Sequence, residues 1–242
     1  MTKQMEMPKI QTRLEVKNEA SEETAELYLY GVIRQAFWWD GEESCISAKE
    51  VRQKLESLKG KDINVHLNSN GGDVFESIAI CNLLKQHDGA INIFIDAMAA
   101  SGASIIATAG KNVYMYANSM QMVHKSWTIA SGNTDEFRKI ATDLDKIDTS
   151  VKASYMSKFV GTEDELEKLV GEETYLAADE CLAFGLCSEI LKDAEEEPDE
   201  PDEPQGSIKE SLCAKYRKEP PNNEEPPAKG GFFNFKKTEV SS

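Results

Sequence analysis

Between residues 9 and 197 the chain has no proline, and in all its 242 residues it has three histidines. So few imidazoles leave few candidates for proton transfer near neutral pH. The five cysteines (Cys45, Cys81, Cys181, Cys187 and Cys213) form no C-x-x-C pair. That leaves no zinc site and no disulfide framework, so a reducing, cytoplasmic setting is expected; no motif in the chain calls for a metal or other cofactor, and none is expected. Positive charge is also short: 27 Lys and Arg stand against 43 Asp and Glu, a net charge of −16. The deficit argues against nucleic acid and against an anionic membrane as partners. The most apolar window, residues 91–109, is interrupted by Asp96, two serines and a glycine, which makes a poor membrane span. The opening MTKQMEMPKIQTRLEV lacks the apolar core of a signal peptide.

The prolines that do occur mark the organisation. Seven of the eight lie at or beyond Pro198, where the composition turns to DAEEEPDEPDEPQ. Such a stretch buries too little apolar surface to offset the entropy of ordering it. Residues 1–23 are therefore an N-terminal arm, 24–191 a globular domain, and 192–242 an acidic, Pro-rich flexible tail. Near the chain's end GGFFNFKK forms a small aromatic and basic cluster, a candidate docking peptide.

Inside the domain, strand-like and helix-like segments alternate. Residues 25–33 and 63–67 read as strands, and 68–72 (NSNGG) as a turn. Ser47-Ala-Lys-Glu50 opens a helix to about residue 58, and 74–86 is a second helix. Residues 91–96 read as a buried strand and 101–109 as the helix packed behind it, followed by short strands at 112–116 and 120–124. Asn133 caps a long amphipathic helix to about residue 159, with Phe137, Ile140, Leu144, Ile147, Val151 and Tyr155 on its apolar face. Thr162 caps a short helix to 170, residues 178–184 form a last helical turn or two, and 186–191 a strand. Repeated units of this kind make an α/β fold around a mainly parallel sheet.

Three places carry candidate chemistry. Ser101 sits among small residues at a strand-to-helix turn, near the positive end of the helix dipole, and reads as a nucleophile. His124 ends an apolar strand, where sites collect in α/β sheets, and reads as its general base. His66, inside a strand, packs or faces solvent, and His87 beside Asp88 supplies a helix-terminal charge. Asn68-Ser-Asn-Gly-Gly-Asp73 offers two glycines that let a substrate backbone approach and an amide that faces a developing oxyanion. A third group, a carboxylate that orients His124, is not singled out by composition. Glu172 and Glu173 lie where the chain turns back toward the sheet.

The order NSNGGD, AMAASGAS, MQMVHKSW and EETYLAADECLAFGL resembles the Clp-type serine peptidases over residues 24–191. It is most similar to the phage and prophage members that mature capsids (the prohead proteases). The resemblance implies a Clp/crotonase-like α/β fold of repeated strand–strand–helix units around a mainly parallel sheet, with a disordered C-terminal tail. It also implies a triad of Ser101, His124 and Glu173, with Gly72 and Gly102 supplying the oxyanion amides. Housekeeping members have Asp where this chain has Glu173, which keeps Glu172 as a rival. They have Pro where it has Asn70, and a small apolar residue where it has Asp73. The implied partners are protein or peptide substrates, in particular capsid or scaffold proteins, and further copies of the chain in a homo-oligomeric ring. The implied place is the bacterial host cytoplasm or an assembling prohead.

Other readings predict different features. A housekeeping-type Clp subunit works with an ATP-driven unfoldase. A non-catalytic capsid scaffold needs no intact serine–histidine pair. An acyl-CoA hydratase of related fold uses carboxylates in place of that pair, and a Ser-Lys signal-peptide peptidase has a membrane anchor.

Overall fold

The structure, a computed structural model, describes residues 10–17, 23–39 and 44–192. Strand β2 (Thr24–Ile33) alternates strictly: Ala25, Leu27, Leu29 and Ile33 are buried on one face while Glu26, Tyr28 and Tyr30 lie half-buried on the other. The same period recurs in β3 (Asp62–Gly72) and in β4 (Ile91–Ala100). The buried faces of the three strands merge into one core with Ile80 and Leu84 of α2 (Val74–Lys85) and Ile106 of α3 (Gly102–Ala107). Each such side chain, fully withdrawn from water, stabilises the fold by about 1.5–3 kcal/mol. Helix α1 (Ala48–Ser57) starts at Ser47, whose hydroxyl accepts the Glu50 amide, as its sequence predicts.

The remaining elements are β5 (Asn112–Tyr116), β6 (Met120–Val123), α4 (Thr134–Met156), α5 (Glu163–Gly171), β7 (Thr174–Ala177), α6 (Ala178–Ala183) and β8 (Glu189–Leu191). Asn133 and Thr162 form capping boxes at the starts of α4 and α5. With β1 (Arg13–Lys17) they complete an eight-stranded sheet in the order β1-β2-β3-β4-β5-β8, with β6 on β4 and β7 on β6. All pairings are parallel except β1 with β2 and β6 with β7. The α/β expectation is met.

The sheet forks along β4. Asn92–Ile95 pair with β5, whereas Met98–Ala100 pair with β6. Both branches contribute to the core, β5 through Val113 and Met115, β6 and β7 through Val123 and Leu176.

Several details differ from the sequence reading. The stretch 68–72 is not a turn: β3 continues to Gly72, with Ile33 of β2 opposite Gly72. Positive φ at Gly71 (86°) and Gly72 (150°) lets the chain keep its pairing where a side chain would collide. A Cβ on Gly72 would lie 2.0 Å from the Ile33 carbonyl oxygen. Strand β4 runs four residues beyond Asp96, and β7 was not anticipated. Part of the expected N-terminal arm, Arg13–Lys17, is an edge strand. The expected tail lies outside the described residues apart from Lys192, and so do GGFFNFKK and Cys213. No helix among the described residues is long and apolar enough to cross a membrane.

Candidate active site

The fork places two strand ends together. Ala100 pairs with Met122 in parallel register, so the residues that follow, Ser101 after β4 and His124 after β6, leave the sheet side by side. The Ser101 amide donates to the Met122 carbonyl at 2.8 Å. Ser101 then turns the chain sharply into α3, with φ 56° and ψ −124°, a conformation an L-residue avoids. Its side chain makes no capping bond to the helix. Instead its Oγ lies 2.6 Å from His124 Nε2.

The expected glycines surround this turn. A Cβ on Gly71 would fall 2.7 Å from the Gly102 nitrogen and 2.8 Å from Ser101 Cβ, and one on Gly102 would lie 2.1 Å from Ser77 Oγ. Only backbones without side chains pack this closely behind the serine. Gly72 and Gly102 both line the cleft above it. Asp73 has a local duty: its carboxylate caps α2 by accepting the Phe75 and Glu76 amides at 2.8 and 2.9 Å.

On the other flank β6 pairs with β7, ending at Val123 opposite Thr174. One antiparallel step further sets Glu173 against His124. Glu173 borders the same cleft, with φ 55°. Among the described residues, no hydrogen bond joins its carboxylate to the imidazole, whose one hydrogen-bonded side chain is Ser101. Glu172 is the C-cap of α5 and is not part of the cleft lining.

The cleft has a volume of about 750 Å³. Ile105, Ile147 and Val151 give it an apolar floor, while Phe75 and Trp127 stand exposed at its rim. Beneath the loop after His124, Asp148 of α4 is buried and accepts the Ser126 amide at 2.7 Å. The sequence reading passed over Asp148. Its signal was an acid on the apolar stripe of α4, four residues after Leu144 and three before Val151. Glu167 of α5 bridges Lys125 (2.9 Å) and Lys152 (2.7 Å), and these two cations hold its carboxyl down at about 2.

The other histidines depart from expectation. The His87 ring is buried: its Nε2–H donates to the Lys61 carbonyl at 2.8 Å, and its Nδ1 lies 3.8 Å from Asp88 just past the end of α2. His66 neither simply packs nor faces solvent. Its Nε2 lies 2.9 Å from Glu26 and its Nδ1 2.9 Å from Asp96, and its ring stacks between Tyr28 and Phe94. His66 lies inside β3 and His87 just past the C-cap of α2, and neither lines the cleft around Ser101. Among the described residues, no cluster of three or more His, Cys, Asp or Glu side chains could hold a metal ion.

A serine hydroxyl in contact with an imidazole, at a strained turn beside close-packed glycine amides, is the arrangement of a serine-type hydrolase. Over residues 40–194 the chain matches the model of the Clp protease family, and it belongs to that family. Members are peptidases, generally serine-type, that form oligomeric rings and act on protein substrates.

Proposed function

We propose that this chain is a serine endopeptidase that cuts phage capsid or scaffold proteins during head maturation, with Ser101, His124 and Glu173 as its triad. The observation that carries the enzymatic part is the 2.6 Å contact between His124 Nε2 and Ser101 Oγ, inside a cleft large enough for a peptide side chain.

The chemistry runs as follows. Ser101 Oγ–H donates to Nε2, so the neutral imidazole carries its own proton on Nδ1. Glu173 accepts that Nδ1–H once its side chain swings across from its place opposite His124. As Ser101 attacks a peptide carbonyl, His124 takes the hydroxyl proton and the carboxylate stabilises the imidazolium. The Gly72 and Gly102 amides hold the tetrahedral oxyanion. His124 then protonates the leaving amine, and water, activated by the same imidazole, releases the acyl group. The apolar floor favours a large apolar side chain next to the cut bond.

The maturation role rests on the resemblance to prohead proteases. A housekeeping role with an unfoldase is the other reading within the family. Co-expression with coat and scaffold proteins separates them: processing without any ATPase supports maturation, and no processing speaks against it. For the chemistry, a fluorophosphonate probe should label Ser101, and Ser101→Ala should abolish the label. A folded wild-type ring that takes no label would overturn the reading.

A further inference from the structure

We propose that Tyr155 and Ser104 are positioning residues for the nucleophile: the Tyr155 hydroxyl donates to Ser104 and so commits the Ser104 proton to the backbone that carries Ser101. The inference rests on Ser101 being the nucleophile.

It begins with the strain at Ser101. A residue held in such a region keeps its conformation only where its surroundings over-determine it. Three atoms crowd the Ser104 hydroxyl. The Ser101 carbonyl oxygen is at 2.6 Å, the Met122 carbonyl oxygen at 3.0 Å and the Tyr155 hydroxyl at 2.7 Å. Ser104 is fully buried and Tyr155 is 1% exposed, so no water shares these bonds from bulk solvent.

The donor inventory then fixes the direction. Ser104 has one proton, and both carbonyls can only accept. If Ser104 gave its proton to Tyr155, two carbonyl oxygens would face bare lone pairs at close range. The proton between the two hydroxyls is therefore Tyr155's, and Ser104's goes to a carbonyl. A serial chain of this kind strengthens each of its bonds. Burial also raises the Tyr155 phenol well above its ordinary range, so the donor keeps its proton across the pH range of catalysis.

The chain braces both halves of the site. The Ser101 carbonyl belongs to the nucleophile itself. The Met122 carbonyl, which also accepts the Ser101 amide, lies two residues before His124. One phenol on α4 thus helps set the separation of the two strand ends that must exchange a proton.

The test uses the full chain in its oligomer. Tyr155→Phe removes one hydroxyl and keeps the ring. Losing that hydrogen bond should lower kcat on a fluorogenic peptide, and the rate of fluorophosphonate labelling, by about tenfold, with KM changed less than about twofold. Ser104→Ala should do at least as much, and the double variant no more than Ser104→Ala alone, because the links are in series. A purely structural tyrosine would lower the melting temperature and leave kcat per labelled site unchanged; that result, or additive effects, overturns the proposal. Should the Phe variant not fold, the same comparison of wild type with Ser104→Ala decides. A wild type that never labels refutes the nucleophile assignment itself, an outcome distinct from equal labelling of wild type and variants.

Discussion

Among the described residues, the non-glycine positions with positive φ are Ser101 (56°) and Glu173 (55°), and both line the cleft. Glu173 occupies the place just past the C-cap of α5 where helices ordinarily put glycine. A side chain there costs about 1 kcal/mol. Glu173→Gly should relieve that strain and raise the melting temperature by about 2–4 °C. If Glu173 orients His124, the same change should slow fluorophosphonate labelling about 10²–10⁴-fold. Glu173→Gln should slow labelling comparably without the gain in stability. A glycine variant that is both stabilised and fully active would remove Glu173 from the site and return attention to Glu172. Ser101 was legible as a serine among small residues at a strand-to-helix turn, and His124 as a polar residue at the end of an apolar strand. Composition could not choose between the glutamates. What separates them is the register of β7, a strand too short for its own pattern to announce.

Elements were legible where their own residues decide them and illegible where a neighbour does. The caps at Ser47, Asn133 and Thr162 are local hydrogen bonds, and they sit where the sequence placed them. The NSNGG stretch has the composition of a turn, yet pairing with β2 keeps it in β3. The small residues of AMAA have little intrinsic preference for strand, yet pairing with β6 extends β4 through them. Helix α4 combines both cases. Its apolar period was plain, but burial is confined to its C-terminal half: Phe137 is 49% exposed, whereas Val151 and Tyr155 are buried. Asp148, on the same stripe, holds the loop after His124 through the Ser126 amide. Asp148→Ala should leave that amide unpaired, cost about 1–3 kcal/mol and slow labelling of Ser101. Asp148→Asn keeps an accepting oxygen and should stay close to wild type in both. Thermal melts and labelling rates of the pair check this, and identical behaviour of Ala and Asn would show that the accepting oxygen is not what matters.

At the scale of the whole molecule, Glu167 and His66 link protons to stability in opposite directions. Glu167 is held at about 2 by hydrogen bonds from Lys152 and Lys125, below the 4.5 it has when unfolded. Its contribution to stability is therefore present above about pH 4.5 and is lost as the pH falls toward the folded value. The side chain is 37% exposed, so solvent screens the pair, the contribution is small and salt should weaken it. Glu167→Gln should flatten the acid limb of the melting curve at low salt more than at high salt. His66 works the other way. Burial alone would lower its pKa, but the hydrogen bonds and charges of Asp96 and Glu26 outweigh burial and raise it above 6.5. Geometry gives the reason: each ring nitrogen faces a carboxylate at 2.9 Å, so both need a proton, and a neutral ring would turn a bare nitrogen toward one of the acids. Tyr30 donates to the same Asp96 at 2.5 Å, and Arg13 and Lys17 lie over the Tyr28 ring. Because the folded pKa is the higher one, His66 stabilises the sheet fully below about pH 6.5, and that contribution is lost as the pH rises through the folded value. His66→Gln cannot take up the second proton. Its melting temperature should lie below wild type at about pH 6, and the gap should close toward about pH 9. A gap that stays constant over that range would mean the imidazole does not titrate there, and that the two acids hold it by packing alone.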